Sequence, residues 1–458
     1  MIPAFDCTPM LAAVPIWVYQ HLPSAIFVFA FGACMGSFLN VVVYRMPNRI
    51  SVVLPPSRCP TCGRMLRWHE NLPIIGWLRL GGRCRGCRTR ISPRYLVIEI
   101  GTALVLLALY VGLYTQHPST AAWPLASTNW WSSNGFLGTW PTTFGTWPMF
   151  LAWAFLLGGL YAMTVIDAKT FLIPIQIPLF VTVAAVVLAA IQAVLPLSPF
   201  TFDLWPIPTV GAAGCGAAFG GMAGVLLSTV LLQAGLLRPS FHDYESYADP
   251  SADDDVFVDY PHGRREMAVE LVFLLPCLVG LAVGYYVGAA MGEAPPRVVT
   301  ALGACLTGYL VGGGLIWGIR ILGTLAVGRE AMGLGDVHLL GAVGAVLGWQ
   351  DPIVVFFVAP FFGIAWAILS VALGSMFRVE HRALPYGPHL AIATVVVLAG
   401  RPVLDRALAL LTPGLEFAVA EIDGGLALVA LAVGAAALAM LTWLATRHRA
   451  VTASDGGS

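Results

Sequence analysis

The chain has 458 residues, of which 58% are hydrophobic and only 10% charged, and its mean hydropathy is +0.81. A soluble domain carries about 25% charge, so the chain lacks the polar surface to cover a water-soluble globule, and disordered, collagen-like and small disulfide-stapled chains are excluded on the same figures. Lys+Arg and Asp+Glu balance at 24 each, which points to no nucleic-acid partner, and a single lysine, Lys169, stands among the basic residues.

No basic residue precedes Arg45, so the positive segment of a cleavable signal peptide is missing. Apolar runs near the length of about 20 residues that a span needs predict membrane helices at 24–44, 95–115, 148–166, 174–195, 209–236, 268–290, 298–327, 337–349, 352–376, 389–411 and 424–446. The run at 337–349 is short and reads as a re-entrant candidate. The expected fold class is all-α: a polytopic integral membrane helical bundle of about 8–11 spans with a small zinc-ribbon-like cytoplasmic loop.

Orientation follows the arginines. Eleven of them lie from Arg45 to Arg94, which puts the 45–94 loop in the cytoplasm. The 116–147 segment has no basic residue and carries Trp123, Trp130, Trp131, Trp140 and Trp147, as an external, interface-hugging loop would. A second soluble segment, 238–267, holds Asp243, Glu245, Asp249, Asp253, Asp254, Asp255 and Asp259. It reads as a solvated acidic loop or as a surface that meets a basic substrate segment.

Four of the nine cysteines form two CxxC pairs, Cys59-Pro-Thr-Cys62 and Cys84-Arg-Gly-Cys87, with 21 residues between them. Two such turns can wrap one tetrahedral Zn²⁺ with four thiolates, and with every ligand place taken the site is structural. Gly63 and Gly86 supply tight turns, and a reducing cytoplasm disfavours disulfides. The other five cysteines are scattered, mostly in apolar runs, and read as small core residues.

Ionisable groups at the edge of a span are functional suspects by default. Asp167 closes the run Tyr161-Ala-Met-Thr-Val-Ile-Asp167, and Asp336 ends Gly333-Leu-Gly-Asp336. The topology sets both at the cytoplasmic interface. If they meet, they cannot both ionise easily, so one can activate a water while the other, still protonated, holds a peptide carbonyl oxygen. Each also has a plainer reading taken singly. Asp167 can pair with Lys169, and Asp336 can cap the helix that follows it.

At these residues the chain resembles the bacterial type IV prepilin peptidases, leader peptidase and N-methyltransferase enzymes among the GxGD membrane aspartic peptidases. The resemblance begins at Gly36-Ser-Phe-Leu-Asn-Val-Val-Val-Tyr-Arg45-Met-Pro47 and runs through both CxxC pairs, Asn71-Leu-Pro73, Gly82-Arg-Cys84 and Ile91-Ser-Pro-Arg-Tyr95 to Glu99. It resumes at Ile166-Asp167 with Pro174, at Glu330-Ala-Met-Gly-Leu-Gly-Asp336, and closes with Pro385-Tyr-Gly-Pro388. A lone GxGD is a weak signal; this ordered set is specific.

The resemblance implies an enzyme that cuts the basic leader from type IV prepilins or pseudopilins at the cytoplasmic face. It then methylates the new N-terminal amine with S-adenosylmethionine. By carry-over, Asp167 and Asp336 are the catalytic pair, and Cys59, Cys62, Cys84 and Cys87 are the zinc set. Gly333, Gly335, His338, Lys169 and Glu330 support the substrate site, and Gly36, Asn40, Arg45 and Glu99 are candidates for the methyl-donor site. The expected place is the bacterial inner membrane, multi-pass, with the active site facing the cytoplasm, in type IV pilus or type II secretion assembly. The partners are prepilins, pseudopilins and the lipid bilayer.

The expected division is an external N-terminus at 1–23 and an N-terminal peptidase/methyltransferase-type region at 24–115 that includes the four-cysteine loop at 45–94. The Trp-rich loop 116–147 follows, then an aspartic peptidase region at 148–411 with the acidic insertion 238–267. An extra span within 412–446 and a cytoplasmic tail at 447–458 complete it. The chain departs from the family pattern where Ile175 and Gln176 follow Pro174 without the usual acid, where His338 stands for the usual lysine, and in its two inserted loops. Other readings are a peptidase without methyl transfer and a non-catalytic transporter or scaffold. The signal-peptide-peptidase and presenilin group shares GxGD but has a Pro-Ala-Leu stretch where this chain has Pro-Tyr-Gly-Pro.

Overall fold

The computed structural model describes residues 16–114, 140–195, 210–244, 247, 260–377 and 385–411. The expected extra span at 424–446, the tail at 447–458, most of the Trp-rich loop and the acidic stretch 248–259 lie outside the described residues. The described elements are α1 (Ile16–Arg45), a 3-10 turn (Trp68–Glu70), α2 (Ile75–Arg79), α3 (Arg94–Tyr114), α4 (Trp140–Thr170), α5 (Gln176–Val194) and α6 (Ala212–Gln233). They continue with α7 (Gly263–Met291), α8 (Arg297–Val327), α9 (Leu334–Leu347), α10 (Gln350–Phe377) and α11 (Tyr386–Leu411). No strand forms among the described residues, only the isolated bridges Arg58–Met65 and Arg83–Arg90.

Helices are what a bilayer permits, because each backbone N–H and C=O must find its partner within the segment. Eight described helices are long and apolar enough to cross a membrane: α1 from His21, α3, α4 from Thr146, α5, α6, α7, α8, and α10 to Ala372. The protein is a polytopic, all-helical membrane protein. Two boundaries differ from expectation. Helix α4 starts at Trp140 rather than near 148 and carries Pro148 inside it. Helix α7 starts at Gly263 rather than near 268, with Glu266 in its first turn. Glu266 accepts from Arg238 at 2.9 Å and from the Phe241 amide at 2.9 Å, which ties the incoming chain to that turn.

The chain packs as two compact units, divided within α4 between Ala162 and Met163. In the first, α1 lies against α3. Gly32 and Gly36 let the backbones close up, since a Cβ on Gly32 would stand 2.7 Å from Ala103 Cα and one on Gly36 2.8 Å from Glu99 Cα. The buried Tyr114 hydroxyl meets Thr146 Oγ1 at 2.9 Å.

In the second unit, α6 and α7 touch along two glycine stripes of period four, Gly216, Gly220 and Gly224 against Gly280, Gly284 and Gly288. Lipid gives apolar side chains no reason to prefer each other, so close backbone packing through small residues is what joins such helices. Helix α9 is the centre of this unit. At 14 residues it is about 21 Å long, short of the roughly 30 Å hydrocarbon core. Val337 and every residue from Leu339 to Leu347 are buried, so protein rather than lipid surrounds it. Gly308 and Gly344 meet backbone to backbone where α8 crosses it. This short buried helix carries Asp336 in its first turn.

Candidate active site

Helix α4 delivers Asp167 one turn before its end, with 4% of the residue exposed. The chain then turns sharply at Phe171, whose amide closes on the Asp167 carbonyl at 2.8 Å with φ +54°, and passes Ile173 and Pro174 before α5. The amide of Gly387, in the Pro385-Tyr-Gly-Pro388 turn that opens α11, lies beside the Asp167 carboxyl. A Cβ on Gly387 would overlap Asp167 Oδ2 and stand 3.2 Å from Ile173 Cδ1.

Asp336 is 8% exposed and lies within the electrostatic reach of Asp167. Helix α9 begins at Leu334 with Gly333 as its N-cap, so Asp336 sits in the first turn and is not itself the cap. The Gly333 amide lies beside its carboxyl, at the positive end of the helix dipole. Gly335 packs on Ile173, where a Cβ would come within 2.7 Å of Ile173 Cβ. One side chain, Ile173, thus touches both glycine turns between the carboxyls. Tyr386 also lies within electrostatic reach of Asp336.

The supporting residues separate. Lys169 is exposed, and no ion pair joins it to Asp167 among the described residues; two positions apart on a helix they point to different sides. His338 Nδ1 meets the Tyr309 hydroxyl at 2.9 Å, one turn into α9. Glu330 accepts from Arg320 Nη1, which also donates to the Met332 carbonyl, on the segment leading into Gly333. Sequence reasoning missed Arg320 and Glu270, although a buried charge in each of two apolar runs was a readable signal. It also missed the Gly387 amide and Ile173, whose roles come from the meeting of distant segments.

In the first unit the 45–94 loop is built on two matching turns. Cys59 N–H donates to the Arg64 carbonyl at 2.9 Å and Cys84 N–H to the Thr89 carbonyl at 2.9 Å. The Gly63 amide returns to Cys59 at 2.9 Å and the Arg88 amide to Cys84 at 3.0 Å. Each turn needs positive φ at its fifth residue, +68° at Gly63 and +58° at Arg88. A left-handed non-glycine residue costs about 1–2 kcal/mol. Arg88→Gly is therefore expected to slow alkylation of the loop cysteines about fivefold, and an unchanged alkylation rate would contradict it.

The four sulfurs lie within 4.8 Å of one another, with Cys59–Cys87 at 3.7 Å and Cys62–Cys84 at 4.0 Å. Ligands at about 2.3 Å around a tetrahedral zinc stand about 3.8 Å apart, so these four could hold such an ion. The amides of Cys87 and Gly86 hold the Cys84 thiol below its usual range, and the Thr89 side chain and amide hold Cys87 down at about 6. Cys62 has the Arg64 amide in its favour, yet its neighbouring sulfurs and burial push it up to about 11. Crowded thiols of this kind favour a bound cation. Glu70 fastens both turns, taking Arg64 from the first at 2.7 Å and Arg85 from the second at 3.7 Å. The Arg67 amide and Arg64 hold its carboxyl down at about 2.

Gly36, Asn40 and Glu99 gather on the α1–α3 seam. Asn40 donates to the Gly36 carbonyl at 3.2 Å, and Glu99, 7% exposed, accepts the Ile74 amide at 2.7 Å. That bond ties the Asn71-Leu-Pro73 turn to α3. Arg45 instead donates to the Ser51 carbonyl at 3.0 Å.

Comparison with known proteins adds two matched segments. Residues 30–113 match the bacterial peptidase A24 N-terminal domain, and residues 265–368 match the type IV leader peptidase family. A protein of Myxococcus xanthus named prepilin leader peptidase/N-methyltransferase is 52% identical over 84 residues, 18% of this chain and 25% of that protein. Proteins of the same name from Aeromonas salmonicida and Pseudomonas aeruginosa are each 26% identical, over 83% and 80% of this chain and 91% and 87% of their own lengths. No solved structure matches the chain.

Proposed function

Because the chain belongs to the type IV leader peptidase family, we propose that it removes the leader from prepilins and methylates the amine thereby released. The observation that carries the peptidase reading is the meeting of Asp167 and Asp336. Two buried carboxyls from different helices lie in electrostatic reach, one supported by the Gly387 amide and the other by the Gly333 amide. Such a pair shares a proton and titrates as a unit. The ionised carboxyl takes a proton from water as the water oxygen attacks the scissile carbonyl carbon. The protonated one donates to the carbonyl oxygen. Collapse breaks the C–N bond, and the proton passes to the leaving amine.

The methyl donor is S-adenosylmethionine: the freed amine takes its methyl group, the S–CH₃ bond breaks, and the amine loses a proton. The seam of Gly36, Asn40 and Glu99 is the proposed neighbourhood. Eleven arginines in the 45–94 loop support a cytoplasmic place for that loop, and the proposed setting of the carboxyl pair is the cytoplasmic face of the inner membrane. The substrates are basic-leader pilins of type IV pilus or type II secretion systems.

Co-expression with prepilins of the same genome, followed by a gel for leader removal and mass spectrometry of the new N-terminus, tests the reading. The expected product lacks the leader and is heavier than the bare mature chain by one methylene. An uncut prepilin in the presence of well-expressed protein would overturn the peptidase reading, and a cut but unmethylated product the transferase reading.

Cys59, Cys62, Cys84 and Cys87 would hold a structural zinc that cross-links the two turns. Cys84→Ser is expected to release stoichiometric zinc from the purified protein and to expose the remaining three thiols to alkylation, while Asp167 and Asp336 stay folded around their own helices. Zinc at full stoichiometry in Cys84→Ser would contradict the assignment.

A further inference from the structure

We propose that Arg320 is a positioning residue for Asp336: its guanidinium grips the backbone just before the Gly333-Leu-Gly-Asp336 turn and fixes where that carboxyl stands. The inference rests on the peptidase reading above.

Arg320 lies on α8, 2% exposed, seven residues before the helix ends. Glu270 lies on α7, 3% exposed, seven residues after that helix begins. Both are therefore about 10 Å inside their helices. Charges at such a depth persist only when well paired. Arg320 Nε donates to both Glu270 oxygens, at 3.0 and 3.2 Å, and Nη2 donates to Oε1 at 2.9 Å. The Trp317 indole N–H donates to Glu270 Oε2 at 2.8 Å, and the Phe241 ring covers the guanidinium at 5.3 Å. One side of the fork is thus locked into helix α7.

The other side of the fork turns toward the catalytic segment. Nη1 donates to the Glu330 carboxylate and to the Met332 carbonyl, the last peptide before Gly333. The same stretch is held once more by the end of α8, where the Ala331 amide donates to Thr324 Oγ1 at 3.1 Å. Gly323 leaves room for Ala331, since a Cβ there would come within 2.6 Å of the Ala331 Cβ. The turn that follows contains two glycines and has no stiffness of its own. Its geometry is set by the anchored residues upstream. Arg320 is also in electrostatic reach of Asp336, yet its direct contacts are to the backbone and to two glutamates. A planar fork presents donors to both sides in fixed directions, whereas a lysine ends in a single compact ammonium without that span.

The test uses the full chain in detergent with a purified prepilin, reading kcat and KM separately. Arg320→Gln alone would leave Glu270 buried without its partner. The informative variant is therefore Arg320→Gln/Glu270→Gln, which removes both charges together, with Arg320→Lys beside it. The expected result for the double variant, at a thermal transition close to that of the unmodified chain, is a kcat about 10²-fold lower with KM within about twofold. Arg320→Lys is expected to recover less than about a tenth of the activity, because it restores the charge but not the fork. A folded double variant with unchanged kcat, a loss confined to KM, or full rescue by lysine would each overturn the proposal. Asp336→Asn runs alongside. If it still cuts, the peptidase reading fails first, and that outcome is distinct from a failure of Arg320 alone.

Discussion

Asp167→Asn and Asp336→Asn are each expected to lower leader cleavage by at least about 10³-fold, and the double variant is expected to be no worse than either single one. An amide cannot take a proton from water, nor can it share one with its neighbour. Losing either carboxyl therefore removes the acid–base function of both, and members of one catalytic unit are not additive. Folding should survive. The two side chains are 4% and 8% exposed, and an isosteric neutral group relieves the cost of a charge there. The measurement is single-turnover cleavage of a purified prepilin, with the thermal transition of each variant recorded beside it. Methylation of an already trimmed pilin should continue in both variants, since the proposed donor region lies on α1 and α3. A well-folded asparagine variant that cuts at the unmodified rate would end the dyad assignment.

The sequence and the structure divide this site unevenly. Length and hydropathy predict each described membrane helix, because a run of about 20 apolar residues has no other stable form in lipid. The short run after Asp336 reads as re-entrant on length alone, and α9 is indeed too short to span and is wrapped by protein. Helix starts are less legible. Pro148 suggests a beginning to the eye, but α4 continues upstream to Trp140. Glu266 looks like part of an acidic loop until the Arg238 side chain and the Phe241 amide are seen to hold it in the first turn of α7. The paired cysteines and the two aspartates stand out by residue type and local motif. What surrounds them does not. The grip of Arg320 on Met332 joins residues 12 apart, and that of Arg320 on Glu270 residues 50 apart. Neither follows from any local pattern, because each depends on which helices pack side by side. Conversely, the reading of Lys169 as a partner for Asp167 fails on simple geometry, since two residues along a helix is the wrong spacing.

Gly387→Ala is expected to cut leader cleavage by about 10²-fold or more, the scale of an ångström-sized misplacement in a catalytic group. The substitution adds one methyl group and keeps the backbone amide that serves Asp167. The loss would therefore be steric: the new Cβ would overlap Asp167 Oδ2 and press on Ile173 Cδ1 at 3.2 Å. Something must move. The flanking Pro385 and Pro388 each fix one backbone dihedral, so the turn itself yields poorly. Ile173 is pinned from the other side by Gly335, where the available space is already filled. The softest element left is the carboxyl of Asp167, which must turn away from the Gly387 turn. Gly400→Ala, farther along α11, is the matched control, because a Cβ there meets nothing within 4 Å; it should cut normally. The discriminating readout is kcat with KM held near its original value. If Gly387→Ala cuts as fast as Gly400→Ala, the contact between the Pro-Tyr-Gly-Pro turn and Asp167 is not one that catalysis depends on.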